Sequence, residues 1–213
     1  MNFITELAVY MAENSNELLA LTIEHILMVA CGIALSLVIG IPLGILAARF
    51  QKLAPVIISI TNVIQLVPSL AMLAILMLYL GFGFKTIAIG LFLYSLLPIV
   101  KNTYVGIKEV DDGIKEAGIG IGMSPLQLLA KIQFPLSIPY LMAGLRLAAV
   151  IAVSVAAIGP YIGAGGLGKE IISGISLQDD IKIYAGAIPA TLIAIIADLA
   201  LGLVERKTKK RLA

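Results

Sequence analysis

Long apolar segments separated by short polar connections dominate the pattern of this 213-residue chain. A helix needs about 20 apolar residues to cross the hydrocarbon core of a bilayer, and the apolar segments reach that length five times. We predict helices, because helices pair their backbone groups internally and the chain lacks the alternating ten-residue segments of a membrane barrel. The predicted spans are residues 21–48, 53–80, 86–107, 139–160 and 183–204.

Composition restricts the class of protein further. Hydrophobic residues make up 60% of the chain and charged residues only 13%, too little polar surface for a soluble domain. We therefore predict an all-α membrane protein with about five transmembrane helices. Cys31 and His25 are its single cysteine and histidine, so neither a disulfide nor a metal site is expected. His25 fits either a pH sensor or an amphipathic ring at the membrane interface.

The distribution of positive charge predicts the orientation in the membrane. Cytoplasmic connections carry the excess of Lys and Arg, and twelve of the fifteen basic residues fall on one side of the predicted spans. That side holds the polar connection 108–138 and the basic tail 205–213, so we expect residues 1–18 outside the cell and the C-terminus in the cytoplasm. The twelve are Arg49, Lys52, Lys101, Lys108, Lys115, Lys131, Arg146, Arg206, Lys207, Lys209, Lys210 and Arg211.

A glycine-rich stretch, residues 163–168, matches the G-x-G-x-x-G pattern of dinucleotide-binding proteins. That pattern binds phosphates only between a strand and a helix N-terminus, whereas this stretch follows a predicted membrane helix on the external side. It is not a P-loop, because Glu170 stands where Ser or Thr is required. The preferred interpretation is a tight external turn with close helix packing, with a re-entrant path as its variant.

The polar connection 108–138 carries start and stop signals for two short helices. Capping residues precede each one, and prolines end the second. We therefore predict a helix-turn-helix shelf on the cytoplasmic face, with apolar residues that pack against the bundle or a partner. The signals are Asp111 or Asp112 as the first cap, Ser124 to Gln127 as a capping box with Pro125 at the first helical position, and Pro135 and Pro139 as the end of the second helix and the start of the fourth span.

The spacing inside this connection resembles the EAA signature, E-A-A-x3-G-x9-I-x-L-P, of permease subunits of bacterial ATP-binding-cassette importers. Gly118 replaces the second Ala and Phe134 replaces Leu, and both changes keep the position small or apolar. The resemblance implies a loop that couples the permease to a cytoplasmic ATPase, whereas an amphipathic interfacial connection would give a similar composition. The matching residues are Glu116, Ala117, Gly118, Gly122, Ile132 and Pro135.

The resemblance extends over residues 19–204 as one permease domain. The segments 62–86, 93–107 and 162–168 are similar to permeases of osmoprotectant importers that carry glycine betaine, carnitine or choline during osmotic stress. Related five-span permeases for methionine or alkyl-sulfonates share the EAA loop, so these substrates stay as alternatives. The implied fold is the type I importer fold, similar to methionine permeases, in the bacterial cytoplasmic membrane.

The same resemblance implies the partners of the chain. It implies a cytoplasmic ATPase dimer that holds ATP and Mg, a second permease subunit that is identical or paralogous, and an extracellular substrate-binding protein. The chain has no Walker motif, so we expect it to be no enzyme itself and to hold no cofactor. A self-contained secondary transporter or channel is the rival class, but it predicts inverted repeats or an intramembrane charge relay, and neither is evident.

Polar residues in the second and third spans are candidates to line the pathway. Asn62, Gln65 and Ser69 fall at i, i+3 and i+7, so they share one helical face, which we expect to point away from lipid. The alternative is that they join helices by hydrogen bonds, since polar groups in membranes do both. The full set is Asn62, Gln65, Pro68, Ser69, Tyr94 and Ser95, with Pro98 beside them.

Arg146 and Asp198 are the charged residues inside the fourth and fifth predicted spans. Each lies seven residues from the cytoplasmic boundary of its span, or about 10 Å at 1.5 Å per residue. A charge facing lipid is costly, and pairing offsets part of that cost. We therefore hypothesise an ion pair that braces the fourth span against the fifth.

Overall fold

The computed structural model describes residues 2–212, with side chains for residues 2–210. Helices form nearly all of that range and no strand occurs within it, in agreement with the predicted all-α class. In chain order the helices are α1 (Phe3–Glu13), α2 (Ser15–Arg49), α3 (Ala54–Leu66), α4 (Ser69–Leu80), α5 (Phe84–Lys108), α6 (Asp112–Gly120), α7 (Pro125–Leu128), α8 (Phe134–Ala156), α9 (Gly168–Leu177) and α10 (Asp180–Leu212).

Four helical runs in the described residues are long and apolar enough to cross a membrane. Three of them, α2, α5 and α10, contain the predicted spans 21–48, 86–107 and 183–204. α2 begins at Ser15, six residues before the predicted first span, and the segment that precedes it forms α1. That helix packs on α10, with the ring centroids of Phe3 and Tyr184 5.1 Å apart.

The predicted span 53–80 is wrong as a single helix. It consists of α3 and α4, which meet at an angle of 97°. Pro68 explains the break, because proline lacks an N–H and pushes the preceding residue out of the helical region. Val67 accordingly has ψ of 130°, and the Tyr94 hydroxyl donates to its carbonyl oxygen.

The bent pair still connects the two ends of the bundle. α3 begins directly after α2 ends, beside the C-terminal end of α5. α4 ends before Gly83, whose N–H donates to the carbonyl of Ile162 at 2.9 Å, where α5 begins. Because α5 is a continuous helix of 25 residues, the pair traverses the bundle from one end to the other. Counted as one span, the pair brings the candidate spans within the described residues to five, the predicted number.

Prolines do not end the helix before the fourth span, contrary to prediction. Helix runs from Pro125 to Ala156, so Pro139 lies within a continuous helix rather than at the start of one. The run contains a π-helical turn, Leu129–Gln133, that ends two residues before Pro135. A proline ring clashes with the carbonyl four residues earlier in a regular α-helix. The wider π-turn changes the backbone path there, so the helix continues, and it continues through Pro139 as well.

The basic tail is also helical rather than a separate segment. α10 extends to Leu212, and residue 213 lies outside the described residues. Cations at the C-terminal end of a helix interact favourably with its dipole. The cluster of Lys and Arg after Glu205 therefore favours the extension that the sequence analysis did not predict.

A ridge of small residues on α2 brings it close to α5. Gly32, Ser36, Gly40 and Gly44 recur every four residues and form this small-residue ridge. A Cβ added at Gly32 would lie 2.4 Å from the Leu91 Cβ, and one added at Gly44 would lie 2.5 Å from the Thr103 Cβ. Small residues let membrane helices approach closely, which maximises their packing. The ridge is not among the predicted features, although its four-residue spacing is visible in the sequence.

The bundle has two chemically different ends. The basic end holds Arg49, Lys108 and the helices α6 and α7. The glycine end holds a 3-10 turn, Gly159–Ile162, followed by the stretch 163–168. Gly163 and Gly166 have φ of 70° and 80°, values that favour glycine, so this stretch forms the tight turn that was predicted.

Candidate functional site

Two caps begin the short helices at the basic end. The Asp111 carboxylate accepts the N–H of Ile114 at 3.2 Å, so Asp111 rather than Asp112 is the cap. Ser124 and Gln127 form the predicted capping box, with bonds of 3.3 and 2.8 Å. Each cap satisfies one of the free N–H groups of its first turn, and the Gln127 side chain also accepts the N–H of Ser124. The helix-turn-helix shelf, residues 111–133, is therefore specified locally by its own sequence.

Gly118 is the contact point between the two helices of the shelf. It is buried, and a Cβ added there would lie 2.7 Å from the Leu128 Cδ1 and 3.2 Å from the Ile132 Cδ1. An alanine at this position would therefore require its neighbours to move. This packing gives a physical reason for the glycine at the place where the EAA pattern has its second Ala.

The outer face of the shelf is open. Glu116 and Ala117 are exposed, and so are the apolar residues Ile119, Ile121 and Leu126. Gly122 forms the turn with φ of 83°. One carboxylate surrounded by exposed apolar side chains is suited to contact a partner that offers a cation in an apolar cleft. Ile132 faces inward and Pro135 lies in α8, so these two motif positions shape the shelf rather than its outer face.

The structure separates the candidate pathway residues into two groups. Asn62 and Pro68 are exposed, and Gln65 and Ser69 are partly exposed, along α3 and at the bend. The third-span candidates, Tyr94, Ser95 and Pro98, are buried. This burial follows from the position of α5 at the centre of the bundle, between α2 and α8, and the pathway role of these residues stays a prediction.

Arg146 and Asp198 form an ion pair with two hydrogen bonds. The Arg146 Nε and Nη2 atoms lie 3.0 and 2.9 Å from the two carboxylate oxygens of Asp198. Glu205 is the third member, 2.8 Å from Nη1. A Cβ added at Gly202 would lie 3.2 Å from the Arg146 Cζ, so the guanidinium rests over this glycine. Asp198, Gly202 and Glu205 share one face of α10 by their spacing of four and seven residues, a signal that the sequence analysis did not use for Glu205.

Carboxylates from α2 hold the glycine end in place. The Glu24 carboxylate accepts the N–H of Gly166 at 3.0 Å, and a Cβ added at Gly165 would lie 2.0 Å from the same oxygen. Glu17 pairs with Lys169 at 3.1 Å. A carboxylate thus occupies the concave side of the glycine turn, where it would repel a phosphate. This geometry agrees with the rejection of a nucleotide site.

A hydrogen bond joins α1 to α9 at the glycine end. The Tyr10 hydroxyl donates to the buried Glu170 carboxylate at 2.7 Å. Burial, together with the bond to Glu170 and its negative charge, raises the pKa of Tyr10 above its ordinary value of 10.0. The hydroxyl therefore keeps its proton, and α1 stays attached to the bundle.

Comparison with known proteins identifies the chain. Residues 40–210 match the family model described as "Binding-protein-dependent transport system inner membrane component". This chain belongs to that family. The matched region contains the shelf, the bent span and the Arg146 ion pair, so the permease carries all of these features within its family domain.

Named relatives match the permease over nearly its whole length. The "Glycine betaine/carnitine/choline transport system permease protein OpuCD" of Bacillus subtilis (strain 168) is 45% identical and covers 97% of this chain and 90% of its own. The "Carnitine transport permease protein OpuCD" of Listeria monocytogenes is 47% identical, with 97% and 93% covered. The "Choline transport system permease protein OpuBD" of Bacillus subtilis (strain 168) is 44% identical, with 97% and 92% covered.

Solved structures agree on the fold. A chain of the inward-facing MetNI methionine ABC transporter superposes with a TM-score of 0.78 and covers 90% of the permease and 95% of its own length. Its sequence identity is 20%, so this similarity concerns the fold alone. The type I importer fold and the multi-pass inner-membrane location expected from the sequence are confirmed.

Proposed function

We propose that the permease forms the translocation pathway of an ABC importer for a quaternary-ammonium osmoprotectant: glycine betaine, carnitine or choline. One observation supports this substrate class above all others. Relatives named for these solutes are 44 to 47% identical to the permease over 97% of its length. Methionine and alkyl-sulfonates are the alternative substrates that the fold allows.

The shelf is the surface that meets the ATPase in this proposal. Twelve of the fifteen basic residues favour a cytoplasmic location for the basic end, with the N-terminus outside the cell. A cytoplasmic ATPase dimer would contact Glu116, Ala117 and the exposed apolar residues around them. ATP and Mg would be held by that dimer, so the permease itself would need no cofactor and would catalyse no reaction. A second permease subunit and an extracellular binding protein complete the assembly.

A continuous helical run offers the mechanical connection. Pro125–Ala156 begins on the shelf and ends beside the glycine end. At 1.5 Å per residue its 32 residues span about 48 Å. Because no loop interrupts this run, movement of the shelf is transmitted as movement of the whole helix. The shelf would thus follow the ATPase, and α8 would carry that motion to the opposite end.

The bent span suits a pathway of low affinity. Asn62, Gln65 and the bend at Pro68 expose polar groups and free backbone within a membrane-spanning segment, which is stable only where protein or water covers it. Tight sites for quaternary ammonium groups are usually aromatic cages, and the chain has no Trp and only 6% aromatic residues. High affinity would therefore belong to the binding protein.

Competition of uptake tests the substrate class. The complete importer with its binding protein is reconstituted in vesicles that contain ATP, and uptake of labelled glycine betaine is measured against unlabelled betaine, carnitine, choline and methionine. We expect the three quaternary ammonium compounds to compete and methionine to have no effect. Absence of labelled betaine uptake by vesicles that do take up labelled methionine would overturn the proposed substrate, and uptake without ATP or ATPase would favour the secondary transporter.

A further inference from the structure

A cavity at the basic end separates the shelf from the bundle. It measures about 270 Å³ and lies where the end of α2, the end of α5, α6 and the α7 region meet. The shelf contributes Lys115, Pro125 and Leu128 to its wall, and the bundle contributes Arg49 and Lys108. The cavity therefore lies at the joint between the part that would meet the ATPase and the part that spans the membrane.

The charged groups that line this cavity are all positive. Arg49, Lys108 and Lys115 line it, together with the amide side chain of Gln133, and no carboxylate does. Lys115 donates to the Lys108 carbonyl at 3.1 Å and pairs with Asp112 at 3.0 Å. Asp112 is 89% exposed in that pair, so the pair neutralises Lys115 only weakly. Within the described residues, neither Arg49 nor Lys108 forms an ion pair with a carboxylate.

The remaining wall is apolar. Ile45 and Ala48 from α2, Ile107 from α5, and Leu128 and Leu129 from the shelf region complete the lining. A cavity lined by three cations and an apolar wall is complementary to a molecule with an anionic group at one end and a hydrocarbon part at the other. Basic pockets between membrane helices near the cytoplasmic side bind anionic lipid head groups by this combination.

We propose that this cavity binds an anionic phosphate group, with a phospholipid head group as its source. Arg49 and Lys108 would hold the phosphate oxygens, Gln133 would donate a further hydrogen bond, and Ile45 and Leu129 would contact the first part of an acyl chain. A free phosphate has the same charged chemistry but cannot use the apolar wall. Because the ligand would touch both shelf and bundle, it would restrict the joint between them.

Retention of lipid by the purified importer tests this proposal. The complete complex is delipidated in detergent and incubated with equal amounts of phosphatidylglycerol and phosphatidylcholine, and the lipid that remains after size exclusion is quantified. The test variant combines Arg49→Gln with Lys108→Gln. Its matched control, Lys101→Gln with Lys131→Gln, removes two exposed charges that do not line the cavity. A second variant, Arg49→Lys with Lys108→Arg, keeps the charge.

We expect wild type, control and the charge-conserving variant to retain about tenfold more phosphatidylglycerol than phosphatidylcholine, and the neutral variant to lose this preference. Binding of radiolabelled orthophosphate in equilibrium dialysis identifies the source. Orthophosphate binding that requires Arg49 and Lys108, without lipid preference, would support the phosphate site and assign it to a soluble ligand. Absence of both lipid preference and orthophosphate binding in wild type would overturn the proposal, and so would an equal loss in neutral variant and control. None of these outcomes depends on the transported solute.

Discussion

The Tyr94 hydroxyl donates its hydrogen to the main-chain carbonyl of Val67, across the break between α3 and α4. Tyr94 lies on the buried central helix α5, and Val67 is the residue that leaves helical geometry before Pro68. The bond satisfies a carbonyl that lost its helical partner at the bend. It also fixes the bent span to the centre of the bundle.

Tyr94→Phe should therefore loosen the bend without preventing insertion. The substitution removes one hydroxyl and leaves the Val67 carbonyl unpaired, which costs about 1 to 3 kcal/mol for a buried group. We expect a lower unfolding temperature in detergent and faster amide hydrogen exchange in residues 69–73. Tyr79→Phe is the control, because Tyr79 on α4 is 83% exposed. Equal exchange in the two variants would show that the bond does not hold the bend.

Two glycines of α6 provide a matched test of the shelf. A Cβ at Gly118 would lie 2.7 Å from the Leu128 Cδ1, whereas one at Gly120 would have nothing within 4 Å. We expect Gly118→Val to displace α6 from α7, by overpacking worth about 1 to 3 kcal/mol, and to abolish solute-stimulated ATP hydrolysis by the complex. Gly120→Val should leave hydrolysis near wild type.

Glu116→Lys complements that test, because it reverses the exposed charge without disturbing the packing. We expect it to insert normally and to lose uptake together with ATPase stimulation. Normal transport by both Glu116→Lys and Gly118→Val would contradict the assignment of the coupling surface.

The Arg146 cluster predicts a particular order of folded yields. Arg146→Leu leaves two carboxylates without their cation and should give the lowest yield. The double change with Asp198→Leu should recover only part of it, because Glu205 stays unpaired, and a triple change that adds Glu205→Leu should recover most. The measurement is monodisperse protein after size exclusion. A double variant equal to the triple one would show that Glu205 contributes nothing.

Tyr10 predicts a dependence on alkaline pH. Its pKa is raised in the folded protein, so the stabilisation is fully present below pH 10 and is lost as pH rises through the folded value. The difference in unfolding temperature between wild type and Tyr10→Phe should stay constant from neutral pH to pH 10 and shrink above it. Tyr161→Phe, at an exposed tyrosine, should show no such change. A difference in unfolding temperature between wild type and Tyr10→Phe that already falls near neutral pH would contradict this account.

Local signals in the sequence predicted much of the shelf and less of the spans. The caps at Asp111 and Ser124 could be predicted because each forms bonds within four residues of itself. Proline was less informative, because its effect depends on the neighbouring backbone. Pro68 breaks a helix where Tyr94 can replace the lost bond, whereas Pro135 follows a π-turn and the helix continues.

Other features depend on residues far apart in the sequence. The burial of Tyr94 and Ser95 follows from the position of α5 between α2 and α8, which no local pattern in the sequence predicts. The ion pair between Glu205 and Arg146 could be predicted only by combining two facts: the face of α10 that carries Glu205, and the orientation of the Arg146 side chain on α8. Composition and the length of the apolar segments predict that helices form. How deeply each helix is buried in the bundle depends on tertiary packing.

The small-residue ridge has a consequence for biosynthesis. Gly44 and Thr103 are in contact but lie 59 residues apart, so α2 must emerge from the ribosome and enter the membrane well before α5 exists. During that interval the ridge faces lipid or the insertion machinery. Ser36 has a hydrogen-bond acceptor both before and after α5 packs. Its hydroxyl lies 2.9 Å from the Gly32 carbonyl of its own helix and 2.8 Å from the Phe92 carbonyl of α5. The first span can thus enter the bilayer with this hydroxyl bonded within its own helix, and the hydroxyl then donates to the Phe92 carbonyl once α5 has packed against α2.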